Sequence, residues 1–132
     1  MAQIKVYGID SHLNPIKEQL SDVIHGCVVE ALVFPEDKRF HRFFPMREDD
    51  VFYPSSRSRA YTIIEIMMIE GRTVETKKRL IRLLFERIRK ELGIQAVDIE
   101  VVIQEAPAYQ FGFRGMTGDE MLLDYKVKYD IK

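Results

Sequence analysis

The chain has 132 residues, 46% of them apolar and 31% charged, a balance that suits one globular domain. Its 20 basic and 21 acidic residues give a formal net charge of -1, so no strong field is available to attract nucleic acid or an anionic membrane. The longest apolar run, residues 63–69, is interrupted by Glu65 and falls far short of the roughly 20 residues of a membrane span. Cys27 is the only cysteine, which rules out an internal disulfide, and its apolar neighbours mark it as a buried thiol rather than a nucleophile. The N-terminus has no apolar signal core, and together these features point to the cytoplasm.

Residues 3–9 alternate polar and apolar side chains and read as a strand, with Ile4 and Val6 on one face and Gln3 and Lys5 on the other. A helix follows, with Asn14 as its expected N-cap and Pro15 at its first position, where a missing N–H costs nothing. Leu20, Ile24, Val28 and Leu32 recur at every fourth place and form its apolar row. Residues 39–46 read as a second strand. Residues 47–60, rich in Asp, Pro and Ser, read as a connector.

The pattern then begins again. Residues 61–69 form an apolar, β-branched strand, and Thr73 is the expected cap of a second helix. Its row is Leu80, Leu84, Ile88 and Leu92, with cations in the last turn and Gly93 as the stop. Residues 98–104 read as the closing strand. Each row residue of the first helix matches one 60 places later, Leu20 with Leu80 and Leu32 with Leu92, and Ile4 matches Ile64 in the same phase. One supersecondary unit is written twice. A strand, a crossover helix and a strand imply parallel pairing within each unit.

The expected fold is therefore α+β, a tandem β-α-β repeat with a four-stranded core sheet and two helices on one face. The chain is read as a single domain, 1–132. It divides into a first repeat (1–46), a connector (47–60), a second repeat (61–115) and a C-terminal strand (119–132). That last strand rests on the alternation of Leu123, Tyr125, Val127, Tyr129 and Ile131 with charged residues. Val101, Ile103, Ile64 and Ile66 are taken to offer more apolar surface than one sheet face can hide, which implies a partner on the open face.

His12, His25 and His41 lack the spacing of a metal site, and the glycines form no phosphate-cradling loop, so neither metal nor cofactor is expected. Tyr53, Arg57 and Arg59 sit on the connector, where binding residues tend to gather. Phe111 and Phe113 read as core more readily than as pocket, and Arg114 between Phe113 and Gly115 as a solvated hairpin residue within reach of a pocket. His41 and Arg42 on the second strand are candidate sources of positive charge for an anion.

The stretch TIIEIMMIEGR from Thr62 to Arg72, the helix start TVETKKRLI, the strand DIEVVIQE ending at Glu105 and the hairpin 106–115 resemble 4-oxalocrotonate tautomerase. Leu13-Asn14-Pro15 resembles the first helix start of the longer, two-unit tautomerases of the cis-3-chloroacrylic acid dehalogenase group. Nearly the whole chain is thus similar to the tautomerase superfamily (the tautomerase/MIF fold). The resemblance implies a homotrimer whose sites combine residues of adjacent subunits.

In that superfamily an N-terminal proline is the acid–base group, its amine pKa lowered by an apolar, cationic pocket. Ala2 stands at that position here, and Thr62 at the same position of the second unit. Arg72 matches the arginine that holds a substrate carboxylate, and Phe111 the aromatic that shields the pocket. The family's second arginine falls on Glu100, and the helix histidine of the dehalogenases falls on Val29, one turn after His25. The resemblance implies an isomerase-like enzyme on small 2-oxo or unsaturated carboxylates with altered or lost chemistry. The alternative is a non-catalytic trimer that binds a small anion or a protein.

Overall fold

The structure is a computed structural model, and it describes residues 2–121. Strands β1 (Ala2–Ile9), β2 (His41–Met46), β3 (Thr62–Ile69) and β4 (Ile99–Ala106) form one sheet in the order β2-β1-β3-β4. Pairing is parallel within each unit, β1 with β2 and β3 with β4, and antiparallel between the central strands β1 and β3. Helices α1 (Asp10–Leu32) and α2 (Val74–Leu92) pack against one another over one face. Strands β5 (Gly112–Phe113) and β6 (Met116–Thr117) make a small hairpin after β4.

The repeat seen in the sequence is carried into the register. Ile4 lies beside His41 in β1 and β2, and Ile64 beside Val101 in β3 and β4, so both partners advance by the same 60 places. Lys5 faces Glu65, its own counterpart. A pseudo-twofold axis therefore passes between Lys5 and Glu65.

Alternation decides which side chains meet the helices. Ala2, Ile4 and Val6 of β1 and Ile64, Ile66 and Met68 of β3 are buried with Leu20, Ile24, Val28, Leu32, Leu80, Leu84 and Ile88 in one core. Each Val, Leu, Ile or Met among them contributes about 1.5–3 kcal/mol when fully buried. Val101 and Ile103 pair with Ile64 and Ile66, so all four lie on this helix-covered face. That corrects the expectation that they overflow onto the other face. The open face carries a mixed set: Lys5, Tyr7, Arg42, Phe44, Glu65, Met67 and Val102. There Tyr7 stacks on Phe44 with ring centroids 4.9 Å apart and donates to Glu65 Oε1 at 3.2 Å.

Thr73 caps α2 as expected, its side chain accepting from the Thr76 N–H at 3.1 Å, and Gly93 ends the helix at φ 72°. The first helix corrects its expectation. α1 begins at Asp10, not at Asn14, so Asn14 is not its cap and Pro15 lies inside it. Asp10 opens the helix with a negative charge where the dipole favours one, and β1 runs directly into it. Both helices end in register, at Leu32 and Leu92, so α1 is longer only at its start. The strands shift by one or two residues: β2 starts at His41 rather than 39, and β4 runs on to Ala106. Residues 119 and 120 are in a turn, which corrects the start of the expected C-terminal strand; residues 122–132 lie outside the described residues. No described helix is long and apolar enough to cross a membrane.

Candidate functional site

The antiparallel pairing of β1 with β3 brings the start of the chain to the end of β3. Ala2 lies opposite Met68, and Met68 lies beside Glu105 of β4. Beyond Met68 the chain leaves the sheet through Glu70-Gly71-Arg72. Gly71 sits at φ 137°, which a side chain resists, and that bend turns Arg72 inward until only 3% of it is exposed. Thr73 then starts α2, and Lys77 in its first turns donates to Glu105 Oε1 at 2.7 Å. The Glu70 N–H donates to the Ala106 carbonyl at 2.9 Å, closing the turn onto β4. The structure thus places Ala2 and Arg72 at one end of the same strand pair. An arginine fork buried there is suited to a planar carboxylate.

The pseudo-axis carries Ala2 onto Thr62 and Arg72 onto His12, at the opposite end of β1 and β3. That end is occupied by the connector. Asp98, 5% exposed, accepts from the Ser58 N–H at 2.7 Å and from the Ser58 hydroxyl at 2.6 Å. Arg57 pairs with Glu100 at 2.9 Å, and the Tyr61 hydroxyl donates to the other Glu100 oxygen at 2.6 Å. These two bonds hold the Glu100 carboxyl below its usual range, the tyrosine contribution first. Arg59 donates from Nη1 to both Glu48 oxygens, at 2.8 and 2.9 Å, and from Nη2 to Ser11 Oγ at 2.9 Å. Tyr53 rests its ring against Tyr61 at 5.6 Å. Of the three connector candidates, Arg57 ties residues 47–60 to β4, Arg59 ties them to the start of α1, and Tyr53 packs on Tyr61 just before β3.

The remaining candidates separate. His41 and Arg42 are adjacent on β2 and point to opposite faces. His41 tucks under α1, with Nδ1 2.7 Å from Ser21 Oγ and its ring 5.8 Å from that of His25. Burial first, then the charges of His25 and Arg39, push its pKa down to about 4, so it is neutral near pH 7. His25 bonds the Glu36 carbonyl through Nε2 at 2.7 Å. Arg42 donates to Gln3 Oε1 at 2.7 Å. Phe111 and Phe113 are half-buried around the hairpin and stand outside the core. Arg114 is exposed at the hairpin tip in the left-handed region, φ 57°. The hairpin follows β4, two strands away from β1. Gly118 is required beneath it, since a Cβ there would lie 2.5 Å from the Ala108 carbonyl oxygen. Cys27 is wholly buried, and burial pushes its thiol up to about 11, so it is inert as a nucleophile. Among the described residues no group of His, Cys, Asp and Glu is placed to hold a metal.

Two residues of interest escaped the sequence reading, Arg39 and Gln3. Arg39 donates to Asp22 Oδ1 at 2.7 Å and, with Gln3, lines a cleft beside Arg42. The only available signal was the close run of two arginines and a histidine, Arg39-Phe40-His41-Arg42.

This architecture has known counterparts. The chain is similar in fold to an asymmetric trimer of wild-type fused 4-OT, with a TM-score of 0.79 at 24% identity over 89% of this chain and 97% of that one. It is likewise similar to malonate semialdehyde decarboxylase, with a TM-score of 0.75 at 20% identity over 84% of this chain and 89% of that one. In sequence it is 31% identical to the probable tautomerase YrdN of Bacillus subtilis (strain 168) over 93 residues, which are 67% of this chain and 71% of that protein. Residues 38–114, more than half of the chain, match the Tautomerase_2 family, described as tautomerase enzyme. The chain is a member of the tautomerase superfamily and belongs to its Tautomerase_2 family.

Proposed function

We propose that the protein is a homotrimer that binds a small 2-oxo or unsaturated carboxylate at Arg72, with acid–base chemistry altered because Ala2 occupies the position of the catalytic proline. The observation that carries this reading is the burial of Arg72 at the Gly71 turn, at the end of β3 that also receives Ala2. A buried guanidinium favours a bidentate anion, and the adjoining strand ends and helix start supply a rigid frame. Phe111 and Arg114, on the hairpin after β4, are assigned as the shield and outer contact of a ligand. The trimer is supported by the likeness to fused 4-OT and by the partly apolar open sheet face, where Met67 and Val102 are exposed.

The altered chemistry follows from two differences. An alanine α-amine, where it is free, is a primary amine with a reference pKa of about 7.7–8.0. It lacks the fixed ring of proline. Glu100, at the place of the family's second arginine, is already engaged by Tyr61 and Arg57 and offers no positive charge to a developing enolate. Loss of one such donor typically costs about 2.7–4 kcal/mol in a rate. The alternative reading, a non-catalytic binder of small anions or of a protein partner, is favoured by the unreactive side chain at Ala2 and keeps Arg72 as the anion-binding residue.

One set of measurements separates these readings. Titration of 2-oxo acids should be tenfold to a hundredfold weaker for Arg72→Ala than for the parent, the cost of a charged hydrogen bond of about 1.5–3 kcal/mol. Equal affinity would remove Arg72 from the site. Assays on enol-pyruvate-like substrates should show little turnover by the parent and a gain by Ala2→Pro, once mass spectrometry confirms that the methionine is gone. Rapid turnover by the parent would refute the altered chemistry, and no gain in the variant would favour the non-catalytic reading.

A further inference from the structure

β4 forms one margin of the sheet, and among the described residues no strand lies beyond it. The opposite margin is guarded, because β2 has only six residues and carries Pro45, which has no N–H to offer a further strand. β4 has neither device. Its eight residues, IEVVIQEA, include no proline, glycine or lysine, and a long apolar edge of that kind invites another strand. The side chains along this margin are also incompletely covered. Lys77 bonds Glu105 of β4, so the face of α2 that continues from Lys77 through Ile81, Phe85 and Leu92 lies over β4. Those three are half-buried, and so are Val101 and Ile103 on the helix side of β4. An apolar strip therefore runs along the outer margin of β4, beneath α2.

The chain holds a segment that fits this margin. The Gly118 N–H donates to the Phe111 carbonyl at 2.7 Å, and Gly118 packs closely on the Ala108 carbonyl oxygen. At Met121, itself buried, the chain has thus come back to the end of β4. Beyond it, Leu123, Tyr125, Val127, Tyr129 and Ile131 alternate with Asp124, Lys126, Lys128 and Asp130. At about 3.3–3.4 Å per residue, residues 123–131 match the length of β4. We propose that residues 123–131 return along the outer edge of β4 of the same chain, antiparallel to it, as a fifth strand whose apolar face covers the strip. Covering the strip fixes the phase, since a one-residue slip would turn the charged face onto it. Two registers of that phase pair all eight residues of β4. With Val127 opposite Val101, Lys128 falls opposite Glu100. With Tyr129 opposite Val101, Asp130 falls there instead, one carboxylate against another. Like charges directly opposite destabilise a pair, so the first register is the one assigned. The assignment is independent of the Arg72 reading.

Paired cysteines in the full chain test the return. Directly opposed residues of antiparallel strands lie about 4.5–5.5 Å apart at Cα, within disulfide reach. In Val101→Cys with Val127→Cys, dissolved oxygen should join the two thiols within one chain. The product after denaturation should have the mass of a single chain less two hydrogens. Val101→Cys with Tyr129→Cys should link much more slowly under the same conditions. Cys27 is wholly buried and can stay. Hydrogen exchange of the parent should find the outward amides of β4 protected. Val127→Asp should lose that protection while the inward amides, bonded to β3, keep theirs. A link between two chains would assign the margin to a neighbour's tail and overturn the proposal. A link in the Tyr129 pair alone would overturn the register. Failure of both pairs to link, or freely exchanging outward amides in the parent, would overturn the strand itself.

Discussion

Lys5 and Glu65 face each other across the antiparallel pair at the centre of the sheet, each the counterpart of the other in the duplicated unit. Opposite charges there favour the register that stacks Ile4 on Ile66 and Val6 on Ile64, since a one-residue slip would turn the core side chains of β1 to the open face. Glu65→Lys should therefore destabilise by about 0.2–1 kcal/mol, with a further loss from the Tyr7 hydroxyl bond. Adding Lys5→Glu should restore the charge-pair part. Urea unfolding of both single variants and the double variant gives the coupling, and strict additivity would show that the pair contributes nothing.

The two helices end alike but with different residues. Val33 occupies the left-handed region at φ 53°, where its counterpart Gly93 sits at φ 72°. A β-branched side chain is strained in that conformation by roughly 1–2 kcal/mol, whereas glycine is not. Val33 is 61% exposed, so little packing is lost on its removal. Val33→Gly should raise stability by about 1 kcal/mol, somewhat offset by the greater freedom of glycine in the unfolded chain. Thermal unfolding of the variant at a lower temperature than the parent would contradict this.

His41 makes stability depend on pH. Its folded pKa of about 4 lies below the ordinary histidine value of about 6.5 because burial disfavours the charged ring. The unfolded chain then binds the proton first. The contribution is complete above about pH 6.5 and is lost as pH falls through that value toward 4. Partial exposure holds the loss to about 1–2 kcal/mol. The difference in unfolding free energy between pH 7 and pH 4.5 should be smaller in His41→Gln than in the parent. An identical pH slope in the two proteins would show that His41 is not the group responsible.

The sequence by itself determined the repeated unit, the helix rows and the parallel pairing within each half. Apolar periodicity is a local property, and the 60-residue offset survives in residues such as Leu20 and Leu80. It also exposed the substitution at Ala2 and the Glu70-Gly71-Arg72 turn. What it did not determine was which distant side chains share a face or a cleft. Val101 and Ile103 were legible as apolar, yet only the pairing with Ile64 and Ile66 places them under the helices. Asn14 and Pro15 carry the local marks of a helix start, but β1 delivers the chain straight into α1 at Asp10 and overrides them. Adjacent His41 and Arg42 read as one cationic pair; the pleat sends them to opposite faces and burial leaves the histidine neutral. Ser58 and Asp98 are joined only because the connector folds back across the start of β4, a contact spanning 40 residues that no local pattern encodes. Tertiary structure decides such matters because charge, burial and hydrogen bonding depend on separation in space, whereas periodicity reports only separation along the chain.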